Sequence, residues 1–511
     1  MEQSFLIRGD FIFSDREGKL KELPDSVLLV KDGIVCGGFS ADELPDDFEK
    51  LKNGEVHFPE TDSVFSAGDA GQQIDTEQGM TDLRGLAYYN FRGRLIIPGF
   101  TDLHLHAPQY AFRGMRMDHE LLEWLNYSAF PEEARFRSAD YARKAYRLFA
   151  DDLKRGASTR AVIFATLHTD ATLELMRLLE DTGLVTMVGK VNMDRNCPPY
   201  LTEKNAEESL RETVRWLNAC GLNLKEGDYA CGPAGGEPVS KAAAGKRSSG
   251  QAGDGKQPFS RTFPILTPRF IPACTDELSR GLGRIAKNTG LPVQSHLDEN
   301  RGEVSWVKEL VPESESYTDA YDRMGLLGGP DSFRSVMAHC VWCSDEEIRI
   351  LKNRDVFLAH CPTSNSNLGS GIAPVTKYID RRMKLGIGTD IGAGHAVSMI
   401  ETVRQAVQVS KLYRQYIDEN ARPLTMAEAF WLGTMGGASF FCPPAWMNRG
   451  KKASESGSFL PGYTFDALVL DESQLRTWME NLTLTERLER FLYLADDRDI
   501  AHKFAAGRRI F

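Results

Sequence analysis

Eight short apolar runs, separated by amphipathic segments, constrain the fold of this chain more than any other feature of its sequence. The runs lie in RLIIPGFTDLHLH, STRAVIFATL, LVTMVGKVN, FPILTPRF, PVQSH, SVMAHC, VFLAHC and LGIGTD. Apolar runs of this length, bounded by polar and helical sequence, are typical of buried strands. The order of the sequence is therefore strand and then helix, repeated eight times.

The segments between the runs have the spacing of helices. SADYARKAYRLFADDLKRG, AEESLRETVRWLNACG, TDELSRGLGRIAKNTG and SDEEIRILKNRD carry apolar residues three and four apart, often between a Ser, Thr or Asp start and a Gly or Asn stop. The pattern predicts an α/β fold, a closed (β/α)8 TIM-type barrel. An open doubly wound sheet is the alternative, but the glycines of GIGTDIG do not match the phosphate-binding turn G-x-G-x-x-G.

Both ends of the chain lie outside this repeat and are rich in strand sequence. SFLIRGDFIFSD and SVLLVKDGIVCGGF near the start, and PGYTFDALVLDES near the end, predict a small β-sandwich domain built from both chain ends. We therefore expect residues 1–93 to form its N-terminal part, 94–445 the barrel, and 446–511 its C-terminal part with a closing helix. Residues 231–256, rich in Gly, Ala, Ser and Lys, predict a disordered insertion, and 449–458 a polar linker.

Composition narrows the class of protein. The 511 residues carry a formal net charge of -11, which argues against a nucleic-acid binder held by phosphate contacts. The nine cysteines are scattered and odd in number, as expected for reduced thiols in a cytosolic protein. The start MEQSFLIRGD lacks the features of a signal peptide, and no run of about 18 apolar residues occurs. We expect a cytoplasmic protein that binds neither membranes nor nucleic acids.

Polar residues close several of the apolar runs. In an extended strand alternate side chains share a face, so His104 and His106 can converge on one metal ion, although a lone H-x-H is more often an exposed pair. His296, His339 and Asp390 end three further runs, where a barrel places its catalytic groups. Imidazoles with a carboxylate suit zinc, or iron as a substitute, with a position left for water. The sequence predicts a metal-dependent hydrolase.

Several segments of the sequence resemble those of a known protein family. PGFTDLHLHA, SHLDEN, MAH and GIGTD, in this order, resemble the amidohydrolase superfamily of metal-dependent barrels. HAPQ, TPRF and HLDEN together resemble its guanine deaminase group, as do LLEWLNYSAFPEEARF, VGKVNMDRN and AHCPTSNSNLGSG. The resemblance spans roughly residues 90–440 and the return GYTFDALVLD.

The resemblance implies a ligand set and a metal count. It makes His104, His106, His296 and Asp390 the metal ligands, and it places His339 beside the reactive water rather than on the ion. Members with two metals carry a carboxylated lysine on the fourth strand, but FPILTPRF has none. One Zn²⁺ per chain is therefore expected, with Fe²⁺ as the alternative.

The resemblance also implies an activity, the hydrolysis of guanine to xanthine and ammonia. Zinc lowers the pKa of its water to about 7, and Asp390 can take the proton of the attacking water. The H-x-x-E spacing lets Glu299 reach the site and protonate the ring nitrogen and then the leaving amine. His339 completes the predicted catalytic set. An exposed glutamate at a helix start is the alternative for Glu299.

The resemblance assigns the purine pocket to Arg269, Phe270 and Gln109, beside His106, His296, Glu299 and Asp390. Arg269 offers a charged planar fork of donors, suited to the carbonyl and ring-nitrogen acceptors of guanine. Gln109 can both donate and accept. A salt bridge at the barrel rim is the alternative for Arg269, and simple packing is the alternative for Phe270.

Other polar residues carry weaker expectations. Asp102 is expected to orient the turn or a ligand imidazole, and His168, His360 and His395 to shape loops or make hydrogen bonds. Cys340 and Cys343 form a C-x-x-C motif, but the sequence has no second such pair, so we expect no metal or redox role for them.

Two other functions remain open from the sequence, and one expectation concerns assembly. The chain could act on a different heterocycle, such as an 8-oxopurine, a triazine or a pterin, or it could be a non-catalytic scaffold on the same barrel. The family resemblance implies a homodimer.

Overall fold

The computed structural model describes residues 4–40, 86–225, 258–441 and 455–511. The predicted insertion at 231–256 and most of the predicted linker at 449–458 lie outside these ranges. Two sheets dominate the described part of the chain, a parallel sheet of eight strands and a mixed sheet of seven.

Each of the eight predicted apolar runs contributes one strand to the eight-stranded sheet. Its strands are β5 (Phe100–His106), β6 (Ser158–Phe164), β7 (Val185–Gly189), β9 (Thr262–Pro264), β11 (Val293–Leu297), β12 (Ser335–His339), β13 (Phe357–His360) and β14 (Lys384–Ile387). The order is β11-β12-β13-β14-β5-β6-β7-β9, and every pairing is parallel. A parallel bridge from Leu266 to Val293 joins the two ends of this order. The predicted barrel is confirmed, and the open sheet is not formed.

Three of the predicted runs are divided in the structure, among them LVTMVGKVN, which is divided into β7 and β8 (Val191–Asn192). RLIIPGFTDLHLH belongs to two sheets, because β4 (Ala87–Pro98) pairs in the mixed sheet before β5 begins at Phe100. FPILTPRF is divided into β9 and β10 (Thr267–Pro268), and β10 pairs with β8 (Val191–Asn192). The expected border after residue 93 thus falls within β4.

Helices connect the strands around the outside of the barrel, as the alternation predicts. The longer ones begin at the expected caps. The side chain of Ser138 accepts a hydrogen bond from the Tyr141 N–H, and that of Thr275 from the Leu278 N–H. The α-helices are Leu121–Trp124, Phe130–Ala134, Ala139–Arg155, Thr169–Thr182, Ala206–Ala219, Asp276–Thr289, Arg301–Leu310, Tyr317–Arg323, Asp345–Asn353, Pro362–Asn367, Val375–Asp380, Met399–Tyr416, Met426–Trp431 and Leu484–Leu494. Short 3-10 or π segments are Ala107–Phe112, Leu125–Ala129, Arg135–Arg137, Pro199–Leu201, Ile271–Ala273, Leu432–Gly436, Ser439–Phe441 and Asp497–Asp499.

The mixed sheet draws its strands from both ends of the chain. It contains β1 (Phe5–Ser14), β2 (Leu20–Lys31), β3 (Ile34–Ser40), β4, β15 (Ala467–Leu470), β16 (Ile500–Ala505) and β17 (Arg508–Arg509), in the order β17-β16-β15-β4-β1-β2-β3. Buried aromatic side chains pack on it, among them Phe5, Phe11, Phe459 and Phe465. The expectation of a small β domain built from both ends is thereby supported in its strand content.

Buried polar contacts fasten the mixed sheet to the barrel. Asp466 accepts a hydrogen bond from the Arg160 Nε of β6 at 2.6 Å. The fully buried Lys503 of β16 donates to the carbonyls of Leu153, Lys154 and Gly156, at the end of helix Ala139–Arg155. The Lys503 amine thus donates to carbonyls that the helix itself leaves unpaired. The end of the chain therefore stabilises the first part of the barrel.

Of the helices in the described ranges, none combines the length and the apolar character that a bilayer crossing requires.

Candidate active site

The five polar residues that close barrel strands converge in the structure. His104 and His106 lie in β5, His296 in β11 and His339 at the end of β12, while Asp390 follows β14. The Nε2 atoms of His104 and His106 lie 3.2 and 3.3 Å from Asp390 Oδ1. The Nε2 atoms of His106 and His296 are 3.1 Å apart. All four predicted ligands therefore meet, although they come from opposite ends of the barrel sequence.

These separations are those of atoms that share one small cation. Two ligand atoms about 2.0 to 2.1 Å from a tetrahedral zinc ion stand about 3.3 Å apart. Two groupings, His104 with His106 and His296, and His104 with His339 and Asp390, each bring their ligand atoms within 4.8 Å of one another. The buried Nε2 of His104 has no hydrogen-bond partner despite its closeness to Asp390. The residues present therefore fit a single divalent ion.

Hydrogen bonding and burial prepare the imidazoles as ligands. The His296 Nδ1 lies 2.6 Å from the Arg269 carbonyl oxygen. A carbonyl only accepts, so Nδ1 carries the proton and Nε2 presents a lone pair to the cluster. Burial lowers the pKa of His104 to about 4 and that of His296 well below its usual value. Both are neutral at pH 7, as metal binding requires.

Asp390 is ionised beside these neutral rings. Burial opposes its ionisation, but the adjacent His104 and His106 outweigh that effect and hold the pKa of the carboxyl well below its usual range. Asp390 and His339 both have positive φ values, of 50° and 74°. Backbone conformations of this kind are uncommon for residues other than glycine and cluster at functional sites.

Asp102 secures the place where β14 meets β5. Its buried carboxylate accepts the backbone N–H groups of Thr389 at 3.0 Å and of His104 at 3.2 Å. It also accepts a hydrogen bond from the Thr389 hydroxyl. These partners are backbone groups and a hydroxyl rather than an imidazole, which supports the expectation that Asp102 orients the turn.

Glu299 lies beside His339 in the same enclosed space. One carboxylate oxygen is 3.4 Å from His339 Nε2, and the other accepts a hydrogen bond from the Ser370 hydroxyl at 3.2 Å. Burial, and then the negative charge of Asp390, raise the pKa of Glu299 to about 8. The alternative of an exposed helix-start glutamate is wrong, since Glu299 is 3% exposed. At neutral pH the group is protonated and can donate.

Arg269 and Gln109 meet at a residue that the sequence did not single out. Glu133 accepts hydrogen bonds from the two terminal nitrogens of Arg269, at 2.6 and 3.0 Å, and from the Gln109 amide at 2.8 Å. All three side chains are at most 3% exposed. The salt bridge considered for Arg269 is present, but it is buried rather than at the rim. Glu133 lies in PEEARF, which is part of a segment used for the resemblance, and this was the only sequence feature that could have pointed to it.

Glu133 remains charged in this setting. Burial alone would raise the pKa of its carboxyl, but the Arg269 guanidinium and the hydrogen bonds from Arg269 and Gln109 hold that pKa below its ordinary value. The pair therefore brings a full positive and a full negative charge into the wall of the site.

One cavity joins these groups. Its polar lining residues are His106, Gln109, Arg269, His296, Glu299, Glu303, His339 and Asp390, and its apolar ones are Leu121, Trp124, Leu125, Phe270, Leu368 and Ala393. Every predicted substrate-contacting residue thus lines one cavity, and His104 contacts Asp390 of that lining.

None of His360, His395, Cys340 and Cys343 belongs to the groupings of ligand atoms in this cluster. His360 is buried, and its ring nitrogens make no hydrogen bond within the described residues. His395 pairs with Glu401 at 2.7 Å. Cys343 donates to Asp298, and both it and Cys340 are free thiols.

Comparison with known proteins gives a consistent result. The family model described as "Amidohydrolase family" matches residues 95–510. The chain is 36% identical to guanine deaminase of Mus musculus over 440 residues, which is 84% of this chain and 85% of the relative. It is 30% identical to guanine deaminase of Escherichia coli over 521 residues, 99% of this chain and 97% of the relative.

A solved structure extends the similarity to three dimensions. The crystal structure of guanine deaminase from C. acetobutylicum with bound guanine in the active site superposes with a TM-score of 0.79. The two chains are 38% identical, and the superposition covers 100% of each.

The geometry of the cluster generates a first prediction, on metal binding. We expect the purified protein to hold about one zinc or iron ion per chain, and His104→Gln to lose most of it, because the change removes one of four ligands. Elemental analysis after gel filtration measures the content. His360→Gln is the matched control, a buried histidine that ends the neighbouring strand outside the cluster, and it should keep its ion. Equal retention by both variants would contradict the assignment.

Proposed function

The chain belongs to the amidohydrolase family and is a hydrolase that acts on guanine, and we propose that the His–Asp cluster and the side chains around it carry out the deamination. The overall reaction consumes guanine and water and releases xanthine and ammonia. The observation that carries this proposal is the convergence of His104, His106, His296 and Asp390 within 3.3 Å contacts at the wall of an enclosed cavity.

We propose that these four residues hold one zinc ion, with iron as the alternative. The support is their spacing, the neutral state of His104 and His296, and the lone pair that His296 presents. A bound zinc ion would supply water acidified to a pKa of about 7, so that a nucleophile is available at neutral pH. The Nε2 of His339 lies beside the cluster, 3.9 Å from Asp390 Oδ2. Because its Nδ1 faces the Asn365 amide oxygen at 2.9 Å, the neutral ring would offer Nε2 to that water as a hydrogen-bond acceptor.

Two carboxyl groups in opposite protonation states divide the proton transfers. Asp390, ionised, takes the proton of the attacking water. Glu299, protonated, donates to the ring nitrogen next to the attacked carbon and, after reprotonation, to the departing amine. Acid and base roles of this kind require groups whose pKa values differ in the observed directions.

Arg269, Gln109 and Phe270 recognise the base in this proposal. The guanidinium donates to the carbonyl and ring-nitrogen acceptors of guanine, where adenine presents an amine donor instead. The apolar wall with Phe270 encloses the ring faces. His106, His296, Glu299 and Asp390 then contact the reacting edge.

The domain arrangement and the setting of the enzyme are also proposals. The mixed sheet is proposed to fold as a β-sandwich, since the backbone of Phe465 hydrogen-bonds to both Gly33 and Gly507, which brings β3 close to the turn before β17. We propose a cytoplasmic homodimer, supported by the free state of the seven cysteines in the described ranges and by the family resemblance. Gel filtration with light scattering measures the assembly.

Turnover of guanine tests the function directly. We expect xanthine and ammonia to form in steady-state assays, and a chelator to abolish the reaction until zinc is restored. Across a panel of guanine, adenine, 8-oxoguanine, a pterin and a triazine, guanine should have the highest kcat/KM. An equal kcat/KM for another heterocycle would contradict the assignment to guanine.

Replacement of Glu299 tests the proton donor. Glu299→Gln keeps the shape of the side chain but cannot supply a proton, so kcat should fall by about 10²- to 10⁴-fold while the metal content is unchanged. Glu309→Gln, which changes an exposed glutamate on the helix Arg301–Leu310 that follows Glu299, is the control and should retain its activity. An unchanged kcat in Glu299→Gln would remove Glu299 from the mechanism.

The pH dependence of kcat follows from the protonation state of Glu299. Burial raises its pKa to about 8, so the acid form is present at neutral pH and is lost as the pH rises through that value. We therefore expect kcat to decline on the alkaline side, measured from pH 6 to 10 at saturating guanine. A profile that keeps rising above pH 9 would show that no such acid limits the rate.

A further inference from the structure

Glu133 is the hydrogen-bond partner of two residues that line the cavity. It lies on the short helix Phe130–Ala134 and is 2% exposed. Its carboxylate is the common partner of Arg269, which follows β10, and of Gln109, which follows β5. One side chain therefore joins the two groups that are proposed to recognise the base, which come from different parts of the barrel.

The pair with Glu133 fixes the plane and direction of the guanidinium. Arg269 presents two parallel N–H groups to the two carboxylate oxygens, at 2.6 and 3.0 Å, a geometry that permits little rotation. A guanidinium has five N–H donors, so this pair leaves further donors for a ligand. The Phe130 ring, 4.9 Å from the centre of the guanidinium, supports its face.

Glu133 also decides which end of the Gln109 amide is available. The Gln109 nitrogen donates to the carboxylate, while its oxygen accepts the Gly392 N–H at 3.3 Å. Exchange of the two ends would place an amide N–H against the Gly392 N–H and an oxygen against the carboxylate. The network therefore holds the amide in one orientation.

We propose that Glu133 is a positioning residue that sets the specificity of the cavity for neutral 6-oxopurines, an inference that rests on the proposed base contacts of Arg269 and Gln109. It holds the donors of both residues toward the carbonyl edge of the base. It also balances the buried charge of Arg269, so a neutral base needs no counter-charge of its own to enter. Glu133 acts through these two side chains rather than on the reacting atoms.

Glu133→Gln tests the proposal through binding rather than through chemistry alone. Loss of one charged partner should raise KM for guanine about tenfold, with a smaller change in kcat. Hypoxanthine, which has the 6-oxo group but no exocyclic amine, should lose inhibition about tenfold, whereas unsubstituted purine should change by less than about threefold. The metal content should be unchanged.

Asp466→Asn is the matched control, because it breaks another buried ion pair, with Arg160, away from the cavity. It should reduce thermal stability while the ratio of the two inhibition constants stays at the wild-type value. A uniform loss of inhibition by both purines in Glu133→Gln would instead identify a merely structural role and overturn the proposal.

A second comparison remains informative if Glu133→Gln folds poorly. The double variant Glu133→Gln/Arg269→Gln removes both charges of the pair, whereas Arg269→Gln leaves the Glu133 carboxylate without its cation. The two variants therefore differ only in whether residue 133 is Glu or Gln. If Glu133 acts mainly through Arg269, the two should show the same hypoxanthine inhibition within about twofold. A further loss of about tenfold in the double variant would overturn the proposal. Absence of guanine turnover in the unaltered protein would instead refute the proposed function.

Discussion

The closure of the barrel between its first and last strands is the constraint on which the site depends. The two strands pair over only a short length there, since Ile387 and Asp102 form the one register pair between β14 and β5 in the described residues. Asp102 adds hydrogen bonds across this junction to Thr389, and the Asp390 N–H donates to the His104 carbonyl at 2.8 Å. Gly388 permits the approach, because a Cβ there would lie 2.8 Å from that of His104. This junction brings His104 and Asp390 within 3.2 Å.

Burial at the mouth of the barrel gives neighbouring groups opposite protonation states. Low accessibility disfavours every charged form, so it makes imidazoles neutral and keeps a carboxylic acid protonated. His104 and Glu299 both follow this rule. Asp390 and Glu133 are nevertheless ionised, because close partners lower their pKa values. These partners are the histidines for Asp390 and Arg269 for Glu133. One environment thus yields neutral ligands, a proton donor and two permanent anions.

The sequence predicted those parts of the structure that depend on local pattern and on strand direction. Each strand and its helix are neighbours in the chain, and parallel strands in a closed sheet must end at one mouth, so His104, His296 and Asp390 could be placed together. The division of RLIIPGFTDLHLH between two sheets was not predicted, because the apolar pattern does not change at Gly99. Glu133 was missed for another reason. Its partners are 24 and 136 residues away, and only packing decides which carboxylate meets which guanidinium.

Arg269 connects metal binding and base recognition through different atoms. Its backbone carbonyl fixes the tautomer of His296, whereas its side chain pairs with Glu133 and faces the cavity. Because the carbonyl is common to all amino acids, replacement of the side chain leaves the orientation of His296 in place. The two functions are therefore adjacent in space but separable by substitution, and changes along the Glu133 network can alter which base is bound without dismantling the ligand cluster. A site built in this way can vary its substrate while it retains its chemistry.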